Sequence, residues 1–304
     1  NNKIIRCIGN PDKRFDEDGL RILRALRFSA ALDFDIENNT LDSIKRKKDL
    51  LKNISAERIN SELTKLIMCN QRLDILVTSG VCEVILPELD QCFQIEQNNP
   101  HHIYDVGTHT LKTLENTPNI PQLRFAALLH DIGKVKAKTT DSNGIDHFYR
   151  HQKISKEIAA EILNRLRFDN KSKHEILTLI ELHDWQIECS AKGVRKMLSK
   201  IGEDLFRKLL LLKRADAMAK NPIYLDKKLN ELKKIEGILN EVLKEKQPIS
   251  IKDLAVDGND LISIGISGKN ICTTLKMLFD KVLENPSLNS VEILMDIAKE
   301  SIKK

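Results

Sequence analysis

Apolar residues recur at helical spacing along almost the whole chain, and only short pieces alternate as strands do. That periodicity limits the chain to an all-α fold. Its 304 residues can bury a sizeable core and organise two or three domains. Pattern breaks divide the chain into a helical segment over 1–70, connecting helices over 71–99, a second unit over 100–220 and a helical tail over 221–304. Asn143-Gly144, between Thr139-Thr140 and Phe148-Tyr149, suits a short hairpin, the only β element expected. No stretch approaches the ~20 apolar residues of a membrane span, and no secretory signal appears, so a cytoplasmic protein with no membrane contact is expected. Six scattered cysteines contain no CxxC pair, which argues against a zinc ribbon or a disulfide framework.

The run Arg14-Phe15-Asp16-Glu17-Asp18-Gly19-Leu20-Arg21-Ile22-Leu23-Arg24-Ala25-Leu26-Arg27-Phe28 reads as a helix entered through an acidic first turn. Leu20, Leu23 and Leu26 supply an apolar side, while Asp18, Arg21, Arg24 and Arg27 recur every three residues as a polar stripe. A carboxylate beside a guanidinium sets acceptors next to donors. Cytosine and adenine each present an amine beside an unprotonated ring nitrogen, whereas uracil and guanine present a carbonyl beside a ring N–H. A rigid Asp18/Arg21 pair would thus accept C and A and reject U and G. On charge spacing alone, an ordinary surface ion pair explains the stripe better.

The whole string changes that balance. It resembles the nucleotide-selecting motif of the class II (bacterial-type) tRNA nucleotidyltransferase and poly(A) polymerase family. The resemblance implies that Asp18 and Arg21, with Glu17 beside them and Arg24 and Arg27 on the same stripe, bind incoming CTP and ATP. Gly19 stands where the family more often has Pro. Ile54-Ser55-Ala56-Glu57-Arg58-Ile59-Asn60-Ser61-Glu62-Leu63 is similar to the following family motif, and makes Glu57, Arg58 and Glu62 supporting residues. Asp33-Phe34-Asp35 falls at a plain turn of the family and is read as structural. Lys45 and Arg46, in the basic run Lys45 to Lys48, are candidate RNA contacts, although such runs are more often solvated helix faces. The net charge of +5 permits a polyanionic partner without requiring one.

All eight histidines lie between His101 and His183. Leu123 to Leu129 is a mostly apolar helical stretch that delivers His130-Asp131 just before Ile132-Gly133-Lys134. With His109 upstream and Asp216 downstream, the order resembles the HD superfamily of metal-dependent phosphohydrolases. That resemblance implies His109, His130, Asp131 and Asp216 as primary ligands of a divalent metal such as Mg²⁺ or Mn²⁺. His151 and His183 become candidates for a second metal or for substrate phosphate. Mixed N/O ligands suit such ions, and the bound ion lowers the pKa of the attacking water. A relic HD fold that only binds RNA is the competing reading.

Residues 251–269, including Gly258-Asn259-Asp260-Leu261-Ile262, resemble the tail that follows HD units in this family. Gly265 and Gly268 are expected to permit close backbone approach, and with Lys269 at the next helix start they could hold the tRNA backbone. An ordinary glycine turn is an equal alternative.

The family's catalytic head, with its Gly-Gly-x-x-Arg-Asp loop, its Asp-x-Asp pair and its Mg²⁺, does not occur in this sequence. Asp-x-Asp appears only at Asp16/Asp18 and Asp33/Asp35. The chain also begins at Asn1 rather than Met, so an N-terminal head in cis or on another chain is expected. Neck, body and tail of a CCA-adding or A-adding enzyme is therefore the leading reading: it would bind tRNA, CTP and ATP but not polymerise alone. The alternatives are a stand-alone HD phosphohydrolase of nucleotides or cyclic phosphates, and a non-enzymatic RNA-binding module.

Overall fold

The computed structural model describes residues 3–302, so Asn1, Asn2, Lys303 and Lys304 lie outside the described residues. It is helical almost throughout, as the apolar periodicity requires. Two compact units emerge: one formed by the residues up to Trp185 with Lys208–Leu229, the other by Gln186–Arg207 with the residues from Asn230 onward. No helix among the described residues is long and apolar enough to cross a membrane.

The first unit departs from expectation at its start. Residues 14–28 are not one helix: Pro11–Glu17 ends at Asp18, whose backbone is extended (φ −156°, ψ 104°), and Leu20–Leu32 begins anew. Asp18 Oδ1 accepts from the Leu20 N–H at 3.1 Å, a short side chain capturing an orphan donor at a helix start. Leu20, Ile22, Leu23 and Leu26 are buried, as their spacing predicts. Asp33 ends the helix in the left-handed conformation (φ 53°). Asp33 and Asp35 both take the Arg72 guanidinium, at 2.8 and 2.7 Å, which bears out the structural reading of that acidic pair.

The hairpin forms, pairing Lys138–Thr140 with Asp146–Phe148. Its connection is longer than a two-residue turn: Asp141 Oδ1 accepts from the Asn143 and Ile145 N–H groups, and Gly144 takes φ +78°. It is not the only β element. Ile4–Ile5 and Asp35–Ile36 pair in parallel, a ladder too short to show alternation in sequence.

The apolar stretch before His130 is the helix Pro121–Leu129, and it contains a fully buried Arg124. Arg124 donates to the carbonyls of Ile67, Cys69 and Thr117 and to the side chains of Asn70 and Asn119. It thereby satisfies the end of the helix Ala56–Ile67 and fixes it to the start of Pro121–Leu129.

The second unit packs Gly258–Ser263, Lys269–Glu284 and Val291–Ile302 around Leu261, Leu278, Val282, Leu294 and Ala298. The helix Lys269–Glu284 starts where the sequence places it. Gly265 (φ +91°) and Gly268 (φ +61°) take positive φ, which glycine adopts without strain, and a Cβ on either would meet nothing within 4 Å among the described residues.

Candidate metal centre

His109, His130, Asp131, His151, His183 and Asp216 come together inside the first unit, all buried. Their helices explain how. Asp105 caps Val106–Glu115 through the Thr108 N–H and sets His109 one turn in. His130 and His183 occupy the C-terminal ends of Pro121–Leu129 and Asn170–Leu182. There each imidazole folds back to a carbonyl three residues earlier, Ala127 at 2.8 Å and Ile180 at 2.7 Å. His151 does the same with Phe148 at 2.9 Å, and His109 uses Ala219 at 3.2 Å.

A carbonyl only accepts, so each of the four Nδ1 atoms carries hydrogen, and in a neutral ring the Nε2 atom then presents its lone pair. Those lone pairs face oxygen or one another. His109 Nε2 lies 3.1 Å from Asp216 Oδ1 and 3.4 Å from Asp131 Oδ2, and His130 Nε2 lies 3.2 Å from Asp131 Oδ2. On the other side of Asp131, Oδ1 is 3.2 Å from His151 Nε2 and 3.5 Å from His183 Nε2. His109 Nε2, His130 Nε2, Asp131 Oδ1 and Asp216 Oδ1 are buried and find no hydrogen-bond partner among the described residues. Four buried acceptor atoms left without a partner are what a cation resolves. The donor set fits one as two triads that share Asp131: His109, His130 and Asp131, then Asp131, His151 and His183.

The electrostatics agree. Burial opposes charge on Asp131 and Asp216, yet His130 and Lys134 around the first, and Lys220 beside the second, hold both well below the usual carboxylate range. Burial pushes His183 down to about 4 and also lowers His109, which keeps both neutral and able to ligate. Burial likewise opposes the charged form of His130, but Asp131 outweighs it and raises the pKa.

Sequence reasoning gave no role to several neighbours. Lys134 Nζ donates to Asp131 Oδ2 at 2.7 Å and to Gln97 Oε1 at 2.7 Å; Lys220 Nζ donates to Asp216 Oδ2 at 2.6 Å. The latter spacing, four residues on one helical turn, was a visible signal. Lys213, pushed down to about 8 by burial, donates to the His183 and Trp185 carbonyls at 2.6 and 2.7 Å and holds that helix end. His102 sets its ring edge-on to His109 with centroids 5.0 Å apart. Gly133 is required for closeness: a Cβ there would lie 2.4 Å from the Ser155 nitrogen and 2.5 Å from the His151 carbonyl oxygen.

The proposed template residues are near one another but not paired as expected. Asp18 Oδ2 accepts from Arg58 at 2.8 Å, while Arg21 donates to Glu17 at 2.6 Å and to the Arg14 carbonyl at 2.8 Å. Burial opposes the Asp18 charge, but the Leu20 N–H and Arg58 hold its pKa below the ordinary value. Arg24 is exposed. Arg27 Nε sits 2.9 Å from buried Glu62, and its guanidinium lies 4.3 Å from the Phe28 ring centroid. In the basic run, Arg46, Lys47 and Lys48 pair with Asp12, Asp16 and Glu83, and Lys45 is exposed. Gly265, Gly268 and Lys269 are exposed in the second unit.

Residues 33–93 match the family described as the probable RNA and SrmB-binding site of polymerase A, and residues 101–221 match the HD domain family. A multifunctional CCA protein of Neisseria gonorrhoeae is 36% identical over 166 residues, covering 50% of this chain and 39% of that protein. A CC-adding tRNA nucleotidyltransferase of Thermus thermophilus is 28% identical over 246 residues, covering 76% of this chain and 55% of that protein. The chain thus spans well under two thirds of the length of these relatives. The Bacillus stearothermophilus CCA-adding enzyme, solved in complex with CTP, shares the fold: its TM-score is 0.64 over 99% of this chain and 66% of its own, at 19% identity. The chain thus carries an RNA-binding segment followed by an HD segment, and it is similar to CCA-adding enzymes over part of their length.

Proposed function

We propose that this chain is the neck, body and tail of a tRNA nucleotidyltransferase of CCA-adding or A-adding type, and that its HD centre is a metal-dependent phosphohydrolase. The observation that carries the second half is the convergence of four Nδ1-locked imidazoles on two carboxylates. His109, His130, Asp131 and Asp216 would hold one divalent ion, with His151 and His183 holding a second through Asp131. Such an ion, Mg²⁺ or Mn²⁺ in class, polarises the phosphoryl group and supplies hydroxide near neutral pH when bound. The protein's own part is orientation. Four carbonyls fix the imidazole tautomers, Lys134 and Lys220 hold Asp131 and Asp216 as carboxylates, and burial keeps bulk water out.

For the nucleotide, Arg58 and Glu17 steady Asp18 and Arg21, which offer an acceptor and a donor to the edge of CTP or ATP. Arg24 is available to the triphosphate, and Arg27 stiffens the helix through Glu62. Lys45 and Arg46, and in the second unit Gly265, Gly268 and Lys269, would meet the tRNA backbone. Transfer itself needs the head domain and its Mg²⁺, and a cytoplasmic setting follows from tRNA as substrate.

The test joins the chain to a family head and supplies tRNA lacking its 3′ end with labelled CTP, ATP, UTP and GTP. Asp18→Ala and Arg21→Ala should each lose C and A incorporation or lose base discrimination. Unchanged incorporation and discrimination in both would refute the template role. A phosphohydrolase acting alone on nucleotides is the second reading, favoured by a complete donor set that owes nothing to residues 1–70.

A further inference from the structure

Within the first unit, Asn60 on the helix Ala56–Ile67, Gln122 on Pro121–Leu129 and the loop Arg167-Phe168-Asp169 before Asn170–Leu182 surround a cavity of about 350 Å³. That volume is within the range of small-ligand sites, and none of these residues belongs to the metal centre or the template segment. The walls differ in chemistry. Phe168 offers an aromatic face made rigid by edge-on packing against buried Phe125, with centroids 4.7 Å apart. Asn60 and Gln122 bring amides, and Asp169 brings a carboxylate. Arg167 is exposed, is held at φ 58° by a bond from its N–H to the Asn164 carbonyl, and has no side-chain partner among the described residues.

From this juxtaposition we infer a nucleotide-binding pocket that takes one nucleoside monophosphate unit, free or as an unstacked nucleotide of RNA, with its base against Phe168 and its phosphate on Arg167. A flat ring is what an aromatic wall accepts, amides and a carboxylate suit base or ribose edges, and a lone guanidinium suits a phosphate. The pocket also joins the RNA-binding segment to the HD segment, since Asn60 donates to the Leu166 carbonyl at 3.0 Å.

The test uses the full chain with metal chelated, so that the HD centre is silent. AMP, CMP, inorganic phosphate and a short single-stranded RNA are titrated by calorimetry into wild type, Arg167→Gln and Phe168→Leu, with thermal melting as a folding check. Saturable nucleotide binding that weakens about tenfold or more in both folded variants supports the pocket. Preference for AMP or CMP over the RNA identifies a free nucleotide as its occupant, and the reverse identifies an RNA nucleotide. Phosphate binding as tight as AMP, with Phe168→Leu without effect, overturns it, as does nucleotide binding unchanged in Arg167→Gln, which folds whatever Phe168→Leu does.

Discussion

His151 Nε2 and His183 Nε2 face each other at 3.2 Å, and each imidazole has already committed its Nδ1–H to a carbonyl three residues back. Two lone pairs at that distance repel, and Asp131 Oδ1 adds a third. Divalent metal should therefore stabilise the protein. At 100 times the dissociation constant the gain is about 2.7 kcal/mol, seen as a raised melting temperature. His183→Ala should weaken the tightest metal binding step or remove one equivalent in calorimetry. Melting that ignores Mg²⁺, Mn²⁺ and chelator alike would contradict this.

Gly133→Ala tests how tightly the HD turn is seated. The new methyl would press on the Ser155 nitrogen and the His151 carbonyl and spoil the Gly133 N–H bond to Ser155 Oγ. A loss of about 1–3 kcal/mol in urea unfolding is expected, with metal affinity falling alongside. Unchanged stability and affinity would mean that the two segments need not approach so closely.

Arg124→Met removes a buried cation that serves three carbonyls and two side-chain amides. Stranding those acceptors should cost at least about 3 kcal/mol. Amide exchange should rise at 67–70 and 117–119, the ends the guanidinium ties together. A smaller loss spread evenly over the chain would say that Arg124 does not join these segments.

Much of the centre was legible in advance because its chemistry admits few residue types. His109, His130, Asp131, His151, His183 and Asp216 were implied by the resemblance of their order to the HD superfamily, and the structure brings all six together. What was not legible depends on distances the fold alone creates. Arg124 sat in an apolar stretch that advertised only burial. The break at Asp18 was hidden because an acidic run suits a helix start and a helix end's cap almost equally, and here a Leu20 N–H decides. Arg58 was named as a support, but that it grips Asp18 from forty residues away needed coordinates. The glycines of the tail were read equally as a phosphate approach or a plain turn, and their positive φ values, which suit a turn, needed coordinates.

Asp146 gives the hairpin a pH dependence. Burial opposes its charge, but Lys138, the Asn98 N–H and the Thr140 hydroxyl outweigh that and bring it down to about 2. A folded-state pKa below the unfolded value of about 3.9 means its contribution is whole above about pH 4 and lost as pH falls toward 2. Asp146→Asn should remove that part of the acid sensitivity and cost about 1 kcal/mol at neutral pH. Acid unfolding that coincides in wild type and variant would contradict the assignment.

The most direct measurement is metal-dependent hydrolysis of 2′,3′-cyclic nucleotides by this 304-residue chain, comparing wild type with His130→Ala. The account predicts turnover that requires Mg²⁺ or Mn²⁺, stops with chelator and falls by at least about a hundredfold in His130→Ala. No hydrolysis and no metal binding by the folded wild-type chain would contradict it, and would leave the HD body as a scaffold only.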